Sequence, residues 1–248
     1  MKTIIVLGMH RSGTSLTAGI LNALGVHLGE KLIGATASNP IGHFENAEFV
    51  ELNDILLLAA NGDGAHPPSL SELAAVRDRF APRIQHLIAR SERDLWGWKD
   101  PRTSLTISLY LPFLRNPYVI LCKRNPIQIA ESLQKRSGTS REEGLRMTRM
   151  YEERIKEFVE RNPDLRTLEI SYEEMLIDAQ GTVGKLIAFL ELQPTPAQRA
   201  QALSLVLSGE DLKKAKQQAR VKGFALMPFF LWYNMKFFLR KFFLRKRT

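Results

Sequence analysis

The feature that most constrains this chain lies in its first two dozen residues. Ile4-Ile5-Val6-Leu7 is a short apolar run rich in β-branched residues, and it is followed at once by Gly8-Met-His-Arg11-Ser12-Gly13-Thr14-Ser15. A helical pattern of apolar residues then begins at Leu16 and continues to about Ala23. A strand, a glycine-bounded turn and a helix in that order make an anion cradle. The backbone N–H groups of the turn and the positive end of the helix point at one spot. The glycines have the spacing of a nucleotide phosphate loop, but the lysine that would reach the β- and γ-phosphates is missing after the second glycine. Thr14 stands in its place, and the cation has moved into the loop as Arg11.

The rest of the chain alternates strands with helices. Asn46 can cap a helix to about Leu58, and Ser71 to Arg93 has the pattern of a long amphipathic helix, while Ile33 to Gly42 is loop-like. Leu95 to Lys99 reads as a short strand before Asp100-Pro101-Arg102, with a helix following to about Leu114. Tyr118 to Cys122 is the clearest internal strand and runs into Lys123-Arg124-Asn125-Pro126 and a helix from Ile127 to about Lys135. A charged helix over 141–160, a strand over Thr167–Ile170 and helices from about Glu173 and Pro196 complete the reading. This alternation predicts an α/β fold, a mainly parallel sheet covered by helices on both faces, over residues 1–211.

Charge separates residues 212–248 from that body. The chain carries +9, but 212–248 hold eleven Lys and Arg and no acid, so subtracting +11 from +9 leaves −2 for residues 1–211. A nearly neutral body argues against nucleic acid as partner. Residues 227–248 contain eight aromatics and six Lys/Arg, a composition that suits contact with a membrane surface. No apolar stretch is long enough to span a bilayer, and the first residues suit a strand rather than a signal peptide. The expected location is therefore the cytoplasm, at the inner face of the membrane. The single cysteine, Cys122, excludes an internal disulfide, and the five histidines lack metal-ligand spacing, so no metal is expected.

Gly8-Met-His-Arg-Ser-Gly-Thr-Ser15 resembles the 5′-phosphosulfate loop of sulfotransferases that use 3′-phosphoadenosine-5′-phosphosulfate (PAPS), especially the bacterial and tyrosylprotein types. Two further segments resemble that family. Arg124, at a strand end, and Ser132, eight residues on, match its 3′-phosphate motif, where a planar guanidinium and a hydroxyl suit one anion. Trp98-Lys99-Asp100-Pro101-Arg102 is similar to the segment whose lysine lies at the transferring sulfuryl group. The three motifs stand in the family's order and span about half of the chain.

The resemblance implies a P-loop NTPase-like fold and a sulfotransferase moving a sulfuryl group from PAPS to an acceptor hydroxyl. A glycan or lipid-linked saccharide fits as acceptor. Arg11, Ser12, Gly13, Thr14 and Ser15 would hold the 5′-phosphosulfate, Arg124 and Ser132 the 3′-phosphate, and Lys99 would stabilise the leaving bridge. Arg11 would serve both binding and catalysis. The reaction also needs a base for the acceptor proton. Glu45, in Gly42-His-Phe-Glu45, resembles the bacterial family's segment and is the first candidate, with Glu30 and His43 as alternatives. Arg220-Val-Lys222-Gly223 is similar to a distal nucleotide clamp, with a valine inserted. Two rival readings remain open: a P-loop kinase or nucleotidase, and a non-catalytic, membrane-attached nucleotide-binding adaptor.

Overall fold

The computed structural model describes residues 1–36 and 39–206, together with positions 211, 214 and 217. Four parallel strands form the central sheet: β1 (Lys2–Leu7), β4 (Leu95–Lys99), β5 (Pro117–Lys123) and β6 (Arg166–Ser171), in the spatial order β4-β1-β5-β6. A two-stranded antiparallel hairpin, β2 (Leu32–Ile33) and β3 (Glu45–Asn46), stands beside it. The helices are α1 (Thr14–Ala23), α2 (Ala47–Ala59), α3 (Leu70–Ser91), α4 (Thr103–Tyr110), α5 (Pro126–Ser137), α6 (Arg141–Glu160), α7 (Tyr172–Ile177), α8 (Ala179–Phe189) and α9 (Pro196–Ser204).

The period of two along a strand builds two cores at once. Ile4 and Val6 of β1 pack with α1, α8 and α9 on one face. Ile5 and Leu7 pack with Trp96 and Trp98 of β4 against α2, α3 and α4 on the other. All four β1 side chains have no exposed surface. Burying a side chain of this size contributes about 1.5–3 kcal/mol, so this strand is fixed from both sides. The loop that follows it is thereby held on a rigid base.

The boundaries differ from the sequence reading where local chemistry intervenes. The hydroxyl of Ser69 and the carboxylate of Glu72 form a capping box, so α3 starts at Leu70 rather than Ser71. The helix expected to reach Leu114 ends at Tyr110 and tightens into a 3₁₀ turn over Leu111–Phe113, which contains Pro112. The helix expected from Glu173 is two helices, because Asp178 leaves helical dihedrals and caps α8 by accepting from Gly181 N at 2.8 Å. Part of the expected 33–42 loop belongs to β2. The clamp-like segment Arg220–Gly223 and the aromatic segment 227–248 lie outside the described residues.

Candidate active site

Every motif residue sits at the carboxyl edge of the parallel sheet, where open α/β sheets bind their ligands. β1 is flanked by β4 and β5, and the register pairs Val6 with Lys99 and Leu7 with Leu121. The three motifs, far apart in sequence, therefore emerge side by side. The loop 8–15 lies in the middle.

The glycines of this loop have steric reasons to be there. A Cβ on Gly8 would stand 2.7 Å from Ser12 Oγ and 2.8 Å from the Cys122 carbonyl oxygen, at φ +151°. A Cβ on Gly13, at φ +96°, would meet the Tyr172 ring at 2.7 Å. Arg11 adopts φ +72° without that freedom, a conformation that costs about 1–2 kcal/mol for a residue with a Cβ. The surrounding bonds hold it there. Ser12 Oγ donates to the Met9 carbonyl at 2.7 Å, and Gly8 N–H donates to Ser104 Oγ at 2.9 Å. Gly13 caps α1 with no side chain, and no acid stands in that helix's first turn.

Arg11, Arg124 and Ser132 converge. Arg11 Nε donates to Ser132 Oγ at 2.9 Å, and Arg124 Nη1 donates to the Arg11 carbonyl at 3.0 Å. The Arg124 guanidinium also lies 4.3 Å from the centre of the Tyr172 ring and bonds Gln128, so its described partners are all neutral. Together with Thr14 and Ser15 these side chains line a cavity of ≈ 180 Å³, and none of the described residues that line it is a carboxylate. Burial, and then the charges of Arg136 and Arg124, lower the Arg11 guanidinium from its ordinary value. This crowding of positive charge is what a bound polyanion would relieve.

Tyr172 and Arg136 were not singled out in the sequence. Tyr172 follows β6 directly and carries no motif. Arg136 did leave a signal, because it stands one helical turn after Ser132 on the same face of α5. It makes no hydrogen bond or ion pair with another described residue.

The other half of the site is charge-balanced. Lys99 Nζ, its side chain 1% exposed, donates to Glu45 Oε1 at 2.6 Å and to Ser15 Oγ at 3.1 Å. Burial alone would raise the Glu45 carboxyl, but the charges of Lys99 and Arg102 and the Lys99 hydrogen bond outweigh it and hold it at about 2. His43 stands close enough for its neutral form to be favoured by burial, and its Nε2 meets Thr36 Oγ1 at 3.0 Å. Glu30 is placed elsewhere. It is 78% exposed, 3.6 Å from His27 and 3.9 Å from Arg93, away from Lys99.

Asp100 is fully buried and occupied. It accepts from Asn53 Nδ2 at 2.8 Å and from Arg102 Nε at 3.0 Å, while Arg102 Nη1 reaches Asp54 at 2.8 Å. Arg102 thus pairs with acidic neighbours. Asn53 also accepts from Thr106 and Tyr110, at 2.7 and 2.9 Å, and ties α2 to α4 beneath the site. His10 is driven to about 3, first by burial and then by Arg136 and Arg102, so it stays neutral inside the loop. Burial pushes the Cys122 thiol up to about 12, as expected of a strand residue. Among the described residues no group of three or more potential ligands is arranged for a metal ion.

Comparison with known proteins agrees with this geometry. The sequence matches the profile of the Sulfotransferase family over residues 3–196. Among solved structures, it is similar to the sulfotransferase domain from the curacin biosynthetic pathway, with a TM-score of 0.50 and 18% identity over 79% of this chain and 75% of that one. A sulfotransferase from Mycobacterium avium gives a TM-score of 0.50 and 17% identity over 87% of this chain and 75% of that one. At this identity the structural likeness speaks for the fold. No match was found among curated proteins. A parallel sheet with a phosphate loop at its carboxyl edge, and a family profile that covers most of the length, lead to one assignment: the chain belongs to the sulfotransferase family and has its P-loop NTPase-like α/β fold.

Proposed function

We propose that this sulfotransferase takes its sulfuryl group from PAPS and transfers it to an acceptor hydroxyl. The observation that carries the reading is the convergence of Arg11, Arg124 and Ser132 on a cavity whose described lining holds no carboxylate. A phosphosulfate nucleotide with a 3′-phosphate carries its charge at two ends, and this cavity offers a cation at each motif. Ser12, Gly13, Thr14 and Ser15 present the loop and first helical turn to the 5′-phosphosulfate, with Arg11 beside them. Arg124 and Ser132 take the 3′-phosphate, and Arg136 adds charge on the same helix face. Protein cations suffice, with no metal in the proposed site.

The donor supplies an activated S–O bond, and the chain's own residues supply position, charge and a proton acceptor. Glu45 takes the acceptor hydroxyl's proton as the acceptor oxygen forms its bond to sulfur. The bond between sulfur and the bridging oxygen breaks, and Lys99 stabilises the charge gathering on that oxygen. The resting ion pair bears on timing. A carboxylate held at about 2 is a weak base. When Lys99 turns from Glu45 towards the donor, burial is opposed less, chiefly by Arg102, and the Glu45 carboxyl rises. Donor binding thus prepares the base. Ser15 is already within reach of Lys99 on that path, at 3.1 Å.

We assign residues 1–211 to the catalytic body and 212–248 to an appended basic, aromatic segment that contacts a membrane surface at its cytoplasmic face. A glycan or lipid-linked saccharide is the acceptor class that suits such a position. Among the described residues, no helix is long and apolar enough to cross a membrane.

Thermal unfolding with adenosine 3′,5′-bisphosphate, against ADP with and without Mg²⁺, tests the donor. A ligand at about a hundred times its dissociation constant adds about 2.7 kcal/mol, seen as a rise of roughly 5–10 °C. The bisphosphate alone is expected to give that rise, and Arg124→Ala to cut it by about half or more. A rise with Mg·ADP and none with the bisphosphate would show a kinase or nucleotidase instead. Bisphosphate binding without sulfuryl transfer to any acceptor would show an adaptor.

A further inference from the structure

The carboxylate of Glu45 reaches Lys99 from a turn whose backbone is unusual. Phe44, the residue before it, has φ +53°. A bulky side chain is rare in this left-handed region, and such a conformation persists only where its surroundings over-determine it. Here they do so on both sides. Before Phe44, Asn39 Nδ2 donates to the Gly42 carbonyl at 2.7 Å, and His43 N–H donates to the Gly34 carbonyl at 3.3 Å. From Glu45 on, the hairpin pairs Ile33 with Glu45 and Leu32 with Asn46. Asn46 then caps α2 by accepting from Glu48 N–H at 3.0 Å.

The ring of Phe44 is seated as closely as its backbone. It lies on α1 at Gly19, where a Cβ would stand 2.9 Å from Cε2 and 3.1 Å from Cζ of the ring. Glycine inside a helix is unfavourable relative to alanine, so this approach is a physical reason for a glycine at 19. The same ring also covers Gly42, where a Cβ would stand 3.2 Å from Cε2. Ser15 stands four residues before Gly19 and shares its face of α1. Ser15 Oγ accepts from Lys99 Nζ, which also donates to Glu45. One face of the helix therefore meets Phe44 at one turn and, through Lys99, Glu45 at the turn before.

We propose that Phe44 is a positioning residue for Glu45. Its ring, seated on Gly19, holds the left-handed turn that aims the carboxylate at Lys99. The same helix carries Thr14 and Ser15 of the phosphate loop, so the seat ties the place of the carboxylate to the place of that loop. An error of about 1 Å at a reacting group costs on the order of 10²-fold in rate, so the tie bears on turnover as well as on shape. That last consequence rests on Glu45 as the base; the seating does not.

The place of Glu45 can be read without the reaction, from the pH titration of its carboxyl by carbon NMR of the full chain. Lys99, Arg102 and His43 act on this carboxyl, and Asp100, Arg136 and His10 stand near it. Burial raises it, and Lys99 leads the charges that hold it at about 2. Phe44→Leu keeps an apolar side chain and gives up the ring. Gly19→Ala keeps the ring and fills its seat. Each is expected to raise the titration midpoint by about one pH unit or more, as the contact with Lys99 loosens. A thermal unfolding midpoint within roughly 5 °C of the parent reports that the variant is folded. An unmoved titration in either variant that folds would overturn the proposal. So would the loss of cooperative unfolding in both, since Phe44 would then serve the fold at large. A moved titration together with a fully active Glu45→Gln would uphold the seating and sink only the base reading.

Discussion

The two halves of the site handle charge in opposite ways. On the proposed donor side, Arg11 and Arg124 line a cavity with no carboxylate among its described residues, and the described partners of Arg124 are neutral. On the transfer side, Lys99 is tied to Glu45, and Arg102 to Asp100 and Asp54. The first half is ready for an anion and has little to rearrange. The second is balanced at rest and must break an ion pair before it can act. In the proposed function binding and chemistry are thus separated in space, and variants can pull them apart.

The largest effect is expected at Glu45, the proposed base. Glu45→Gln keeps a hydrogen-bonding side chain for Lys99 but cannot accept the proton. Turnover should fall about 10²–10⁴-fold, with bisphosphate binding retained; an active Glu45→Gln would return attention to Glu30 or His43. Arg124→Ala should do the reverse. A hydrogen bond to a charged group contributes about 1.5–3 kcal/mol, so donor affinity should weaken roughly 10- to 150-fold, as read by titration calorimetry. Ser132→Ala removes one neutral donor and should weaken the same ligand about three- to tenfold. If Ser132→Ala matched Arg124→Ala, the hydroxyl would matter through its bond to Arg11 rather than through the ligand.

Acid stability separates the halves more gently. His10 is lowered from 6.5 to about 3, so the unfolded chain takes up its proton first, and stability falls as pH falls from 6.5 towards 3. The slope approaches about 1.4 kcal/mol per pH unit for a whole proton. Glu45 is lowered from 4.5 to about 2, so its contribution is complete above 4.5 and lost as pH falls towards 2. Between pH 6.5 and 4.5 the effect of His10, joined by that of His43, which burial also lowers, should therefore stand apart from that of Glu45. Thermal unfolding of His10→Gln should be flatter across that window, and an unchanged slope would remove His10 from the account.

The sequence made the donor side more legible than the transfer side, for a physical reason. A phosphate loop is a run of consecutive residues, so Gly8, Arg11, Gly13 and Thr14 announce it without tertiary information. The apolar runs of β1 and β5 likewise carry the fold in their own composition. The Glu45–Lys99 pair joins residues 54 apart. It forms only because the hairpin strand β3 and the sheet strand β4 deliver them to one point. Spacing could nominate each residue but not their ion pair. The hub at Asn53 and the Arg124–Tyr172 stack are tertiary in the same sense. Arg136 stands one turn beyond Ser132, outside the residues that match the motif, so only its helical spacing marks it. The break at Asp178 was also visible as a capping residue inside a helical run.

The most direct test of the division between the halves is a titration of adenosine 3′,5′-bisphosphate into the parent chain, Arg124→Ala and Lys99→Met. The account predicts that Arg124→Ala loses roughly 10- to 150-fold in affinity. Lys99→Met should bind within a few-fold of the parent while its turnover drops about 10²–10³-fold. Equal losses of binding in both variants, or none in Arg124→Ala, would contradict it.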